Sequence, residues 1–339
     1  MRTGQVFRHY LELRDARHAA WLDPATGMAS ARFTQPASCP LCRGETPRAW
    51  FVKRGFRWVQ CGRCGTVYVS PRLSPEARLM AYCGSDAEFY YTHCASSDPG
   101  QAGWQEELAW IRRYRGPGRL LDVACGTGEF LHAARQAGWE VRGVEVNPVA
   151  AALAERRYAI PVETVAFESV RLPDASFDVV TIFQTLDQLP DPLECLRRVR
   201  PLLASDGLLV VTVPNIRSFM VWALGSRHRH FTPEKGVSFV PRTLRRIVRQ
   251  AGFSRILRLR TFGEECTLSN VLDLIRTGRA ADLFEHRASQ NGTPAERRRG
   301  GGLRAPGRGL STLLIALTRL AGLGSYMTVY ARPDAGKGR

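Results

Sequence analysis

Three groups of residues have types and spacings that can do chemistry. The first is Cys39-Pro-Leu-Cys42 with Cys61-Gly-Arg-Cys64, two Cys-x-x-Cys pairs separated by 18 residues. That interval fits a tetrahedral four-thiolate zinc site, and Pro40 and Gly62 suit the two tight bends it needs. The second is Leu120-Leu-Asp-Val-Ala-Cys-Gly-Thr-Gly-Glu-Phe130, an apolar run, an acid, a glycine turn and the start of a helix. Gly126 and Gly128 carry no Cβ, so a ligand can approach the main chain with helix N–H groups just beyond. A second strand-like stretch ends in Glu145, 17 residues after Gly128, where an acid would grip a pair of ribose hydroxyls. The third is Ser226-Arg-His-Arg-His-Phe-Thr-Pro-Glu-Lys235. Histidine is the side chain suited to proton transfer near neutral pH, and His228 and His230 would share one side of an extended chain.

The chain that must position them has 339 residues, 44% of them hydrophobic, enough for a folded core domain with an appended module. A net charge of +17 ordinarily points to a polyanion partner. Yet all but Lys53, Lys235 and Lys337 of the 48 basic residues are arginine, which reads as compositional bias as much as a binding face. No run of about 18 apolar residues occurs and the first residues lack an apolar signal core, so neither a membrane span nor secretion is expected and the location expected is cytoplasmic.

Periodicity and punctuation divide the chain into an N-terminal extension (1–35) without clear period, a zinc-ribbon-like module (36–72), a helical linker or lid (73–103) and an α/β domain (104–335). In the module, Ala49–Phe51 and Phe56–Gln60 are expected to pair as strands. Helices are expected at Pro75–Tyr82, Trp104–Tyr114, Glu129–Ala137, Pro148–Arg157 and Pro241–Gly252, the second crossover, Pro148–Arg157, capped by Asn147. Strands are expected at Val162–Val165, Asp178–Phe183, Gly207–Val213, Arg255–Leu259 and Tyr326–Ala331. Residues 277–309, rich in Arg, Gly and Ala, read as a mobile insertion, with an RNA-contacting arm as the alternative. Leu310–Leu323 reads as the helix before the last strand, or as an amphipathic membrane contact.

Asp122-Val-Ala-Cys-Gly-Thr-Gly128 resembles the first motif of class I S-adenosylmethionine-dependent methyltransferases, and Val144-Glu-Val-Asn147 resembles the second. The likeness continues through Ser176–Ile182, Leu189-Pro-Asp-Pro192 and Gly207–Asn215. A nicotinamide dehydrogenase shares the glycine turn and the acid but not the Leu-Pro-Asp-Pro and Phe-Asp-Val-Val elements. The resemblance implies a Rossmann-like, mostly parallel seven-stranded sheet with an antiparallel last strand, S-adenosylmethionine as cofactor, and methyl transfer to a small acceptor such as a sugar nucleotide or natural-product intermediate. It implies that Glu145 holds the ribose, that Ala124, Cys125, Gly126 and Gly128 form the turn against the cofactor, and that Asp122 orients that turn or the amino group. Val146 is expected among the cofactor-binding residues, Phe167 would pack against the adenine or else belong to the core, and Phe183 and Gln184 would lie at the ligand edge of the fourth strand.

A zinc ribbon followed by such a linker is similar to a subgroup of small-molecule methyltransferases whose module helps to cover the active site, with Tyr90 or Tyr91 closing over the methionine end. Family members commonly carry Leu-Glu-His after the fourth strand and Pro-Glu-His further on. Here the residues are Leu186-Asp187-Gln188 and Pro233-Glu234-Lys235. A glutamine amide cannot act as a base, which leaves Asp187, His228 and His230 as candidates for acceptor deprotonation. Two other functions fit the same residues: an RNA methyltransferase gripping nucleic acid through the zinc module and arginines, and a protein that binds the cofactor without catalysis.

Overall fold

The structure, a computed structural model, describes residues 3–94, 101–263 and 321–334. The insertion at 277–309 and most of Leu310–Leu323 lie outside the described residues. Residues 1–35, which show no clear period in the sequence, begin with helix α1 (Thr3–Ala20). It has no apolar stripe to announce it, and burial is confined to its end, at His18 and the following Trp21. Polar side chains tie it down: Arg17 pairs with Asp86 at 3.0 Å and with Glu234 at 2.6 Å, and His18 Nε2 lies 2.6 Å from the same Glu234 oxygen.

Burial pushes the Glu234 carboxyl up, but His18 and Arg17 outweigh it and hold it at about 2, against an ordinary 4.5. A depressed folded pKa contributes stability above about 4.5 that is lost as pH falls toward 2. Glu234→Gln is therefore expected to cost up to about 3 kcal/mol at pH 7 and almost nothing at pH 2. Urea unfolding at the two pH values checks this, and equal losses at both would refute it.

Strands β1 (Thr34–Gln35), β2 (Pro47–Lys53), β3 (Phe56–Cys61), β4 (Val67–Val69) and β5 (Arg72–Leu73) follow, and β1 pairs with β5. Hairpin β2–β3 extends the two expected strands by a few residues. Helix α2 (Pro75–Cys83) starts at Ser74, whose hydroxyl accepts the Ala77 N–H, with Pro75 in the first turn. Helix α3 (Ser85–Phe89) and a wide turn over Tyr90–Cys94 complete the segment.

The second half alternates strand and helix. Its elements are α4 (Gln101–Arg112), β6 (Arg119–Val123), α5 (Glu129–Gln136), β7 (Glu140–Glu145), α6 (Pro148–Tyr158), β8 (Val162–Thr164), β9 (Phe177–Phe183), α7 (Pro192–Leu202), β10 (Leu203–Pro214), α8 (Phe219–Leu224), β11 (Val237–Ser238), α9 (Pro241–Gln250), β12 (Arg255–Phe262) and β13 (Tyr326–Arg332). Asn147 caps α6 and Asp191 caps α7, each followed by proline at the first helical position.

Seven strands form one sheet in the order β12-β13-β10-β9-β6-β7-β8, with β13 antiparallel to both neighbours. Side chains alternate between its faces, so both can be buried. Leu121, Val180, Ile182 and Val211 pack with Leu196, Leu244 and Ile247 on one face. Leu120, Val179, Leu208 and Val210 pack with Leu108, Ile111 and Leu131 on the other. Among the described residues, no helix is long and apolar enough to cross a membrane.

A second sheet, in the order β11-β4-β3-β2, joins the N-terminal hairpin to the α/β part: β11 pairs antiparallel with β4 through Val237–Tyr68 and Ser238–Val67. One face of this sheet shares a core with Val237 and Phe239. The other packs Trp58 and Val69 against Ala77 and Ala81 of α2. The sequence offered no sign that a segment beyond residue 230 would complete the N-terminal sheet.

Candidate active site

Connections leave β6 and β9 toward opposite ends of the sheet, which opens a crevice at their carboxyl ends where parallel α/β sheets place ligands. The turn after β6 uses left-handed backbone at Ala124 (φ 59°), Gly126 (φ 55°) and Gly128 (φ 81°). The two glycines serve different ends. A Cβ on Gly126 would meet no protein atom within 4 Å, so that stretch of main chain is open to a ligand. One on Gly128 would come within 2.8 Å of Ala154 Cβ, so that glycine lets α6 pack closely.

Glu145, the last residue of β7, is buried, and its two oxygens are fixed separately: Oε2 accepts the Gly126 N–H and Oε1 accepts the Asn147 N–H, both at 2.8 Å. Each oxygen keeps a further lone pair, which suits two hydroxyl donors. Burial raises the Glu145 pKa, although the two N–H donors oppose it. Asp122 is buried too, and Thr181 Oγ1 donates to it at 2.6 Å.

Burial, aided by the charge of Glu145 and opposed by Thr181, pushes the Asp122 carboxyl from 3.8 to about 7. Between these values the folded state holds a proton that the unfolded chain has released, so stability falls as pH rises. Asp122→Asn removes this penalty. The ligand-free variant is expected to melt several degrees above the parent at pH 8 and together with it near pH 4, as thermal scans across that range would show.

A cleft of about 980 Å³ lies over these groups. Ala124, Val146, Phe167, Phe183 and Gln184 line it, as does Cys125, whose thiol is tucked under β7, where a Cβ on Gly143 would come within 2.5 Å of it. Gln184 takes positive φ (52°), and its N–H donates to Thr212 O at 2.7 Å, which fixes the exit of β9. Tyr82, Tyr90 and Tyr91 line the cleft as well. The Asn147 side chain donates to Tyr82 O at 2.5 Å and thereby fastens α2 to β7. Burial and then the nearby Glu145 charge keep the Tyr91 phenol protonated well above its ordinary range. Trp104 is a wall residue that sequence reasoning took only as the start of a helix. Its ring lies 5.4 Å from Phe183 and 5.2 Å from Phe130, and nothing in the spacing of α4 separates it from the core positions Leu108 and Ile111.

The three candidate bases are not brought to this wall. Asp187 is buried and pairs with Lys235 at 2.7 Å. His228 and His230 are buried beside each other, ring centroids 4.6 Å apart. His230 packs on Tyr326 at 5.2 Å, and Tyr326 packs on Phe262, which does line the cleft, so the histidines stand behind the wall. Residues of the segment 218–225 line a separate apolar groove with Trp50 and Phe231.

The four cysteines do come together. Their sulfurs all lie within 4.8 Å of one another, with Cys39–Cys64 at 3.4 Å and Cys42–Cys61 at 3.6 Å. Four thiolates at about 2.3 Å from a zinc ion would stand about 3.8 Å apart, so the set fits a tetrahedral metal. The two bends match: the Arg43 N–H bonds to Cys39 O and the Gly65 N–H to Cys61 O, both at 2.9 Å and both with positive φ.

The fold is thus Rossmann-like, with a glycine turn after its first strand and an acid at the tip of its second. Residues 102–257 match the family described as "Methyltransferase domain". The chain is 30% identical over 122 residues to the ubiquinone biosynthesis O-methyltransferase of Haemophilus ducreyi, covering 32% of this chain and 52% of that protein. It is 28% identical over 155 residues to the protein of the same name from Bordetella avium, covering 42% and 61%. The chain therefore spans only about half to three-fifths of these relatives. Among solved structures, a SAM-dependent methyltransferase from Archaeoglobus fulgidus is 20% identical, with 68% of this chain and 93% of that chain covered and a TM-score of 0.46. The matched stretch, a little under half of this chain, is thus similar to a methyltransferase domain.

Proposed function

We propose that this chain transfers the methyl group of S-adenosylmethionine to a small-molecule acceptor, and that its four cysteines hold a structural zinc ion. The observation that carries the first reading is Glu145, its carboxylate oxygens held by the Gly126 and Asn147 N–H groups beside main chain that is open to the cleft. When bound, the sulfonium supplies an already activated methyl group. The chain has to bind, align and exclude water. Glu145 takes the ribose hydroxyls, Asp122 the amino group, and Val146 and Phe167 the adenine, while Tyr91 and Trp104 shield the reacting end. Phe183 and Gln184 face the acceptor. Because Asp187, His228 and His230 stand off the wall, alignment of an acceptor that ionises readily carries the rate. The relatives' name favours oxygen as the atom methylated.

Calorimetric titration with S-adenosylmethionine and its demethylated product, followed by transfer of labelled methyl to hydroxylated small molecules and sugar nucleotides, tests this reading. Saturable binding and labelled product are expected, and no binding by zinc-replete protein would refute it. The absence of the three candidate bases from the wall favours one second reading, a protein that binds the cofactor without transferring methyl. Turnover of any acceptor would eliminate that.

A further inference from the structure

Helix α2 brings to the cleft a cation that no other described residue hydrogen-bonds or pairs with. Arg78 is half-buried in the cleft wall, and among the described residues its guanidinium has no hydrogen bond or ion pair. Neighbouring arginines are all occupied: Arg17 holds Asp86 and Glu234, and Arg72 donates to Pro190 O at 2.6 Å. The next residue, Leu79, lines the same cleft and is 54% exposed, an apolar side chain in water. Phe167 and Glu168 line it too, and Glu168 is near enough to act on the charge of Arg78.

A flat heterocycle with an exocyclic amino group satisfies these groups together. It offers a π face to the guanidinium, hydrocarbon contact to Leu79 and Phe167, and an N–H donor to Glu168. A phosphate fits less well, because Glu168 would repel it. Position agrees. Glu145 marks the ribose at the tip of β7, the glycine turn follows β6 on one side, and the Phe167 loop follows β8 on the other. The base therefore falls toward Phe167 and α2.

We propose that Arg78 stacks on the adenine ring of the cofactor, so that α2, and not the seven-stranded sheet alone, completes the cofactor site. This rests on the reading of the cleft as an S-adenosylmethionine site. It also ties recognition of the adenine to the N-terminal sheet, since Ala77 and Ala81 of the same helix pack on Trp58 and Val69.

Calorimetry with S-adenosylhomocysteine and with adenosine on the parent, Arg78→Leu and Arg78→Lys tests it. Arg78→Leu is expected to weaken both ligands by the same factor, about 3- to 30-fold, because both carry the adenine. Arg78→Lys is expected to lie between, keeping the charge but losing the planar stack. The ligand-free melting temperature should move by no more than about a degree or two, since Arg78 has no hydrogen bond or ion pair to lose. Parent-like affinity in Arg78→Leu, a loss confined to S-adenosylhomocysteine, or a fall in melting temperature with affinity unchanged would overturn the inference while leaving the cofactor reading intact. A parent that binds neither ligand would overturn both.

Discussion

Glu145→Ala is expected to weaken S-adenosylmethionine binding by at least 100-fold while the protein stays folded. A hydrogen bond to a charged group contributes about 1.5 to 3 kcal/mol, and the variant loses two. Together they amount to about 3 to 6 kcal/mol, or roughly 10² to 10⁴ in affinity. The Gly126 and Asn147 N–H groups also lose their acceptor, which loosens the turn that the methionine end would lie against. Glu145→Asp separates the two contributions: it keeps the charge but sits one methylene short of the hydroxyls, so an intermediate loss is expected. Calorimetry beside a thermal melt reads both. If Glu145→Ala binds like the parent, the ribose is held elsewhere and the carboxylate only braces the turn.

The second large effect is expected at the cysteines. Removing zinc, or Cys42→Ser, should unfold the hairpin β2–β3 and its surroundings, because structural zinc in small modules contributes on the order of 10 kcal/mol or more to folding. The consequence should reach the cleft. The small sheet is the surface on which α2 packs, and it is closed on its other edge by β11. Loss of the metal is therefore expected to weaken cofactor binding by tenfold or more, although no cysteine of the set lines the cleft. Metal analysis should find one zinc ion per chain, and hydrogen exchange should show protection lost over 39–69 in the variant. A metal-free protein with full protection there would mean that the apolar contacts of Trp58, Val69 and Tyr68 suffice.

Much of the geometry at the carboxyl ends of β6 and β7 was legible in the sequence, because each signal there is local. A glycine turn, an acid at a strand tip and an Asn-Pro helix start are complete within a few residues and have one economical geometry, and the strands and helices from Leu120 onward follow their own periodicities. The Cys-x-x-Cys pairs are similarly local, and their interval is short enough to bring the four sulfurs together.

What tertiary structure alone decided is where separate segments meet. Helix α1 was missed because its polar surface gives no stripe; ion pairs hold it to a glutamate 217 positions away. The fate of the candidate bases was likewise beyond local reasoning. Asp187 and Lys235, each part of a departure from the family pattern, meet across 48 positions as a part-buried pair, which compensates one departure with the other and holds Asp187 off the cleft lining. A buried carboxylate needs such a partner, and no spacing rule says which cation will supply it. Residue types determined the local turns, caps and clusters, and long-range packing determined which of the candidate residues line the cleft.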